Sequence, residues 1–322
     1  MAFFKVLAAT LISLLAFNSF AQTQKFPDRS LKLIVPFSAG GVTDLVARVY
    51  AEELAKALGQ TVVVENKTGA NGAIAVDTLK QAPADGHTLM LATIGTQAIN
   101  PALFPNLRYA PDDFEYVTML TTVPQLLVVN STSDIQSVGD LVQYAKKNPG
   151  KLSYGSSGIG SAPHLAVEIF ADRAAFEATH VPYRGSSQSI LDLIAGELHF
   201  MIDPVTTTVP YIESGKLRAL AVSTPERLAN LPDIPTIAES GYPDYDVGVW
   251  NTIAVLKGTP QSAIERLAAE SQRVLQSDAV RKRLLEAGAV PVVASPDETR
   301  KFVESEQAKY LQAIRAANIT AQ

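Results

Sequence analysis

The sequence predicts an α/β fold, with mainly parallel sheets flanked by helices and divided into two domains. Three observations carry this. From residue 31 onward, short β-branched runs alternate with segments of helical periodicity, the rhythm of parallel sheets with helices on their faces. The 322 residues amount to about two domains at roughly 150 each. Two non-helical passages, near residues 121–130 and 241–250, set off a middle segment large enough for a core of its own. Two crossings make the first domain discontinuous: residues 22–125 plus 246–322 form domain 1, and residues 126–245 form domain 2.

The elements follow in order. Residues 31–37 are short and β-rich. Residues 44–58 carry Leu45, Val46, Val49, Tyr50, Leu54, Ala57 and Leu58 on a helical stripe. A Val-rich strand spans 61–65 and a helix 73–81, closed by the Pro83-Ala84-Asp85-Gly86 turn. A strand at 88–93 leads through a loop-rich passage to a strand at 126–129 and a helix at 137–147, stopped at Gly150. The second half repeats the rhythm, with strands at 152–155, 180–183, 198–202 and 219–223 and helices at 163–171 and 189–195. A strand at 249–256 and helices at 263–275, 279–287 and 296–316 close the chain. No repeat or low-complexity tract interrupts it.

Composition removes several functions. A net charge of −5 lacks the basic excess of a nucleic-acid binder. The absence of Cys excludes disulfides, thiolate metal sites and cysteine nucleophiles. The first 21 residues stand outside the fold. Lys5 precedes an apolar run over residues 6–20, and Ser19 and Ala21 occupy −3 and −1 of a cut before Gln22. This is the layout of a secretory leader. At about 15 residues the apolar run is short of the roughly 20 that a membrane span needs. The expectation is an exported chain with residues 1–21 removed. With no Cys after the cut, it carries no lipid anchor.

Catalytic motifs are absent from the sequence. The four histidines, His87, His164, His180 and His199, form no HExxH and no i, i+4 pair. Gly155-Ser156-Ser157-Gly158 has the wrong spacing for a nucleophile elbow, and Gly158-Ile159-Gly160 lacks the third glycine of a dinucleotide fingerprint. No phosphate loop occurs. The expectation is a protein that is not an enzyme and carries no cofactor or metal.

Instead, small polar loops recur between strands and helices. The first, Pro36-Phe37-Ser38-Ala39-Gly40-Gly41-Val42-Thr43-Asp44, opens the first long helix. Glycines admit a ligand to the backbone, and a helix start offers unpaired N–H groups to an anion. The alternative is a plain turn with Thr43 as N-cap. Further loops are Thr93-Ile94-Gly95-Thr96-Gln97, the run from Gly155 to His164, Tyr183-Arg184-Gly185-Ser186-Ser187, and Asp203 after its strand. Ligands in open α/β sheets sit outside the carboxyl ends of strands, so these loops converge on one cleft. His164 is either a ligand contact or a surface residue, and Arg184 a ligand clamp or a structural cation. Phe37 and Trp250, the single tryptophan, are either pocket walls or core.

The motifs resemble those of the periplasmic solute receptors of the tripartite tricarboxylate transporter family, the Bug proteins. They include Val35-Pro36-Phe37-x-x-Gly40-Gly41-x-x-Asp44, Val62-Val63-Val64-Glu65-Asn66-x-x-Gly69-Ala70-x-Gly72, Ala98-Ile99-Asn100-Pro101-Ala102-Leu103, Asn148-Pro149-Gly150-Lys151-Leu152-x-Tyr154 and His180-Val181-Pro182-Tyr183-x-Gly185. The resemblance runs the whole mature length. It implies a two-domain Venus-flytrap fold of the periplasmic-binding-protein kind, with a carboxylate held in the interdomain cleft by backbone N–H groups, hydroxyls and waters. It implies contacts from Ser38, Ala39, Gly41, Asp44, Thr93 and Thr96 of the first domain. From the second domain it implies Ser156, Ser157, Gly158, Ser161, Gly185, Ser186 and Asp203. Arg184 stands where many relatives carry Lys. The run Val249-Trp250-Asn251-Thr252 replaces a Ser-Trp-Phe-Gly-like run. The implied role is delivery of a di- or tricarboxylate, or an aromatic dicarboxylate, to transmembrane permease subunits by a monomeric periplasmic receptor. A sensor for a membrane signalling partner and an exported enzyme acting on a carboxylate are the alternatives.

Overall fold

The computed structural model describes residues 26–320, apart from residue 105; the leader expected at residues 1–21 lies outside the described residues. β1 (Leu31–Val35), α1 (Val42–Leu58), β2 (Val62–Asn66), α2 (Ala73–Lys80) and β3 (Thr88–Thr93) come first. A π-helical turn (Gly95–Ile99) then runs into α3 (Asn100–Leu103). β4 (Phe114–Asn130), α4 (Val138–Lys147), β5 (Ser153–Ser156), α5 (Ala162–Ala174), β6 (Thr179–Pro182), α6 (Ser186–Ala195), β7 (Phe200–Pro204), α7 (Val205–Glu213) and β8 (Leu217–Val222) follow. The chain closes with β9 (Gly248–Leu256), α8 (Gln261–Gln276), α9 (Asp278–Glu286), β10 (Val290–Pro291) and α10 (Pro296–Ala316).

Among the described residues the strands form one mixed sheet in the order β2-β1-β3-β9-β4-β7-β5-β6, with β8 and β10 also pairing to β4. β1 is parallel to both β2 and β3, and β5 is parallel to both β6 and β7, because a helix separates each partner in sequence. β9 and β4 join the two parallel groups through antiparallel pairs.

β4 is the element that runs through both halves. Phe114 to Pro124 pair with β9, and Gln125 to Asn130 pair with β7 and β8. The change of partners falls at Pro124, which has no N–H to give to a ladder. The sequence reading recovers only residues 126–129 of this strand. Register shifts between Tyr116 and Thr118 and between Met119 and Thr121 break the period-2 pattern that would reveal it.

Alternation within the strands builds two cores. Leu31, Leu33 and Val35 pack with Val46, Tyr50 and Leu54 of α1 and Leu267 and Leu275 of α8. Ile34, Met90 and Ala92 face the opposite side, toward Val76 of α2 and Val303 and Tyr310 of α10; that core continues into Tyr154, Phe170 and Phe200. α10 therefore packs on β4 and also on α5.

Other differences have local causes. α1 starts at Val42 with Gly41 as N-cap, not at Thr43, and no side chain caps it. α7 is absent from the sequence reading because Val-Thr-Thr-Thr-Val-Pro is a poor helical run. It forms nonetheless, with Pro210 inside it and both Thr207 and Thr208 donating back to the Pro204 carbonyl. Trp250 is core rather than pocket wall. It is 1% exposed, packs edge-on against Phe302, and its Nε1–H donates to Glu306 Oε2 at 2.8 Å.

Burial pushes the Glu306 carboxyl up from its usual range, and the Lys309 ammonium and the indole hold it. Trp250→Phe removes that donor while keeping most of the apolar volume. A lost buried hydrogen bond to such a group costs about 1–3 kcal/mol. Urea unfolding of the variant is expected to show a loss of that size. An unchanged midpoint would mean that the indole bond contributes nothing.

Candidate functional site

A cavity of about 430 Å³ opens at the carboxyl ends of the parallel strands, between the β1–β3 and β5–β7 groups. Phe37, Thr43, Asn71, Thr93, Ile94, Gly95, Ile99 and Asn100 line one wall; Ser157, Ile159, Gly160, Ser161, Ala162, Pro163, Ser186 and Pro204 line the other, with Val249 and Asn251 from β9. None of these side chains is ionisable.

What the lining shares is helix beginnings. Thr43 lies in the first turn of α1. Ser161, Ala162 and Pro163 are the N-cap and first residues of α5. Ser186 opens α6, and Pro204 is the N-cap of α7. Each α-helix start carries about half a positive charge and N–H groups without partners. Four such starts line a cavity whose wall, among the described residues, holds no carboxylate, a setting that favours an anion. A larger cavity of about 480 Å³ lies at the other end of α5, against α10. Its wall, beside a helix C-terminus, carries Glu168, Asp172 and Glu177 together with Arg173 and Lys309, a mixed-charge setting unlike the uncharged cleft.

Of the residues expected at the site, Phe37, Thr93, Ser157, Ser161 and Ser186 line the cavity. Phe37 is 45% exposed, a ring held at the entrance. Ser161 accepts from the His164 N–H, leaving its own hydroxyl proton to give. Ser186 donates to Asp203 Oδ1 at 2.7 Å, so its hydroxyl proton is already taken.

The remaining expected residues stand behind or beside the wall. Ser38, Ala39 and Gly41 are exposed next to Phe37 and do not line the cavity. Asp44 is buried and turned inward: it accepts from Gly40 N, Arg48 Nε and Asn66 Nδ2, each at 2.9 Å. The Arg48 guanidinium leads the causes that hold its carboxyl down at about 2. It fixes the loop rather than contacting the cavity. Thr96 is buried, with its Oγ1 bonded to the Thr93 backbone. Gly158 and Gly185 shape their loops, and Arg184 is not in the wall. Asp203 is fully buried, held by Ser186 and Thr207; burial pushes its carboxyl up to about 6.

Ser156 and His164 belong to a buried cluster under the same loop. Ser156 Oγ meets His180 Nε2 at 2.7 Å, and the His180 and His164 rings stack with centroids 3.7 Å apart. His164 Nδ1 accepts from the Gly160 N–H at 3.0 Å, and Tyr154 donates to Glu168 beside them. Gly160 needs its small size: its φ is +70°, and a Cβ there would lie 2.4 Å from Leu103 across the cleft. The sequence reading passes over Asn71, Asn100, Ile99 and Pro204 as lining residues, whereas Ile94 stands in its second loop and Val249 and Asn251 in the run it noted as differing from relatives. Only Asn71 carried a signal, sitting in the Gly69-Ala70-Asn71-Gly72 turn with φ +50°.

Two α/β halves joined through β4 and β9, with an anion-favouring cleft between them, define a solute-binding receptor. Residues 46–319 match the model of the tripartite tricarboxylate transporter family receptor, TctC. BugT of Bordetella pertussis is 36% identical over 292 residues, spanning 90% of each chain. Rpa4515 of R. palustris, solved with adipate, is 38% identical, with a TM-score of 0.78 over 92% of this chain and 99% of that one. MatC from Rhodopseudomonas palustris, solved with bound malate, is 32% identical, with a TM-score of 0.73 over 90% of this chain and all of that one. The chain belongs to the tripartite tricarboxylate transporter receptor family, whose members have a periplasmic-binding-protein fold.

The stacked imidazoles make the loop's stability depend on pH. Burial lowers His164 to about 3, with His180 beside it adding to the effect, and lowers His180 to about 4; both start from 6.5. The unfolded chain takes up these protons near pH 6.5 and the folded chain does not. The stability they contribute is therefore full above pH 6.5 and is lost as pH falls toward 4. Asp203 and Glu168, both shifted upward, act in the opposite sense. The contribution of His164 is isolated by comparing His164→Gln with the parent. The destabilisation is expected to be largest near pH 7.5 and to shrink by pH 4.5 in urea titrations. A penalty that does not change with pH would show that His164 titrates normally.

Proposed function

We propose that this chain is a periplasmic receptor that binds a small di- or tricarboxylate in the cleft and passes it to the permease subunits of a tripartite transporter. The observation that carries this reading is the convergence of four helix N-termini on a cavity without an ionisable side chain. Such a site attracts carboxylates without a buried ion pair, which suits a protein that must also release its cargo. The neighbours solved with adipate and malate support the carboxylate class. Residues 1–21 serve as the export signal, and the mature chain acts as a monomer without turnover of its ligand.

In this reading residues 22–125 plus 246–322 form one lobe and residues 126–245 the other. The hinge lies where β4 exchanges partners at Pro124 and where β9 begins at Gly248. One carboxylate seats on the α1 start, and the α5 and α6 starts close over the other end. The ligand stabilises the closed state by contacting both lobes at once.

Mature protein screened by thermal shift against C4–C6 di- and tricarboxylates is expected to respond to a subset. A ligand at 100 times its Kd adds about 2.7 kcal/mol. The acid should be recovered unchanged after incubation. Val42→Pro deletes one N–H from the α1 start at a position where proline fits, since Gly41 before it is extended (φ −82°, ψ 169°). Its fold should persist while calorimetry shows about a tenfold weaker Kd, the scale of one hydrogen bond to a charged group. An unchanged Kd would remove α1 from the seat, and no response to any acid would overturn the reading.

A further inference from the structure

The cleft floor is a polar row across three strands. Asn251 of β9 stands opposite Thr93 of β3 on one side and Thr121 of β4 on the other. Asn251 is 2% exposed and lines the cavity beside Thr93. Its Nδ2 donates to Thr121 Oγ1 at 2.9 Å. Its Oδ1 has no hydrogen-bond partner among the described residues. Leaving a buried amide oxygen unpaired is costly, and nearly all such atoms in folded proteins are met. Gln125 of β4 shows the same feature. It is fully buried, both its side-chain polar atoms lack partners, and it pairs directly with Pro204 of the cavity wall. Directly paired residues share a sheet face. Among the described residues, the strands that connect the two halves thus carry unmet hydrogen-bonding atoms at the cavity wall, in Asn251, and behind it, in Gln125.

We infer that Asn251 is a specificity-determining residue whose Oδ1 accepts a hydrogen bond from a hydroxyl on the ligand's carbon chain, so that this receptor selects a hydroxycarboxylate over the same acid without the hydroxyl. The inference rests on the carboxylate reading above and narrows it. The helix starts take the carboxylates, whereas the floor offers one acceptor in Asn251 and one hydroxyl in Thr93. A ligand hydroxyl donates to the first and accepts from the second. An ammonium would also reach Asn251 Oδ1, but no carboxylate in the cavity wall offsets its charge. A plain methylene leaves the oxygen unpaired, and sites built around a substrate hydroxyl reject the analogue lacking it.

Calorimetry on the mature protein with succinate, malate and aspartate, and with tricarballylate and citrate, tests this. In each series that binds, the hydroxylated acid is expected to bind about tenfold or more tightly than its parent, the worth of one hydrogen bond or greater. Asn251→Leu should bring that ratio toward unity. Thr121→Val with Asn251→Leu should do the same without orphaning the threonine hydroxyl, with circular dichroism reporting the fold of both. Equal affinities for parent and hydroxylated acid, tighter binding of aspartate than of malate, or a preference that survives both variants would overturn the inference and leave the carboxylate reading intact. No heat from any acid would overturn both.

Discussion

The proposed function depends on one electrostatic arrangement: a cleft charged by backbone helix starts rather than by side chains. An arginine or lysine in the cleft would require burial of a cation whenever the lobes close, and the cost of desolvating it can exceed the attraction it provides. Helix starts avoid that cost, because their N–H groups are fixed by the helices and need no reorganisation. Four starts at about half a charge each sum to roughly two positive charges, the complement of a dicarboxylate. This requirement dictates the fold around it. Helices must begin where parallel strands end, and only a sheet with helices following β1, β5, β6 and β7 brings α1, α5, α6 and α7 to one edge.

In the proposed reading, closure of a cleft divided between two groups of strands needs a connection that carries it without tearing the sheet. β4 supplies it. Its two halves belong to different ladders, and Pro124, which cannot donate, sits between them. Ser223 closes the junction from the other side: its hydroxyl accepts from Gln125 N, and its own N–H donates to the Gln125 carbonyl. The exchange of partners is thus a backbone event at one residue, so few hydrogen bonds need to change if the halves rotate.

How legible was this in the sequence? The βα rhythm was, because it is written in local periodicity: β3 and α10 match their expected limits, and α1, α4 and α8 begin or end within a few residues of them. β4 was largely invisible, since bulges and a proline scramble its alternation, and α7 because β-branched residues and Pro210 oppose it locally. At the cleft, residues of the glycine- and serine-bearing loops singled out in the sequence line the cavity wall. The division of labour within them was not legible. Ser161 and Asp44 are both polar residues near helix starts, yet one lines the cavity and the other faces into the protein. Asn251 lay in a strand with no loop signature, and only the register of three strands places it on the floor.

Asp44 and Asp203 pose a physical question, since two buried carboxylates stand close to a site for anions. Their partners resolve it. Asp44 is neutralised by Arg48 and saturated by Gly40 and Asn66, so what reaches the cavity is the loop it orders rather than its charge. Asp203 takes its donors from Ser186 and Thr207, residues in the first turns of α6 and α7, and so ties together two of the helix starts that face the ligand. In both cases the carboxylate lies behind the helix start and the N–H groups in front of it. A negative charge near a helix N-terminus is itself favourable, so these residues stabilise the helices whose starts line the cleft. In the proposed reading, an anionic ligand would draw on the same positive potential as the buried aspartates without competing for the hydrogen bonds they already hold.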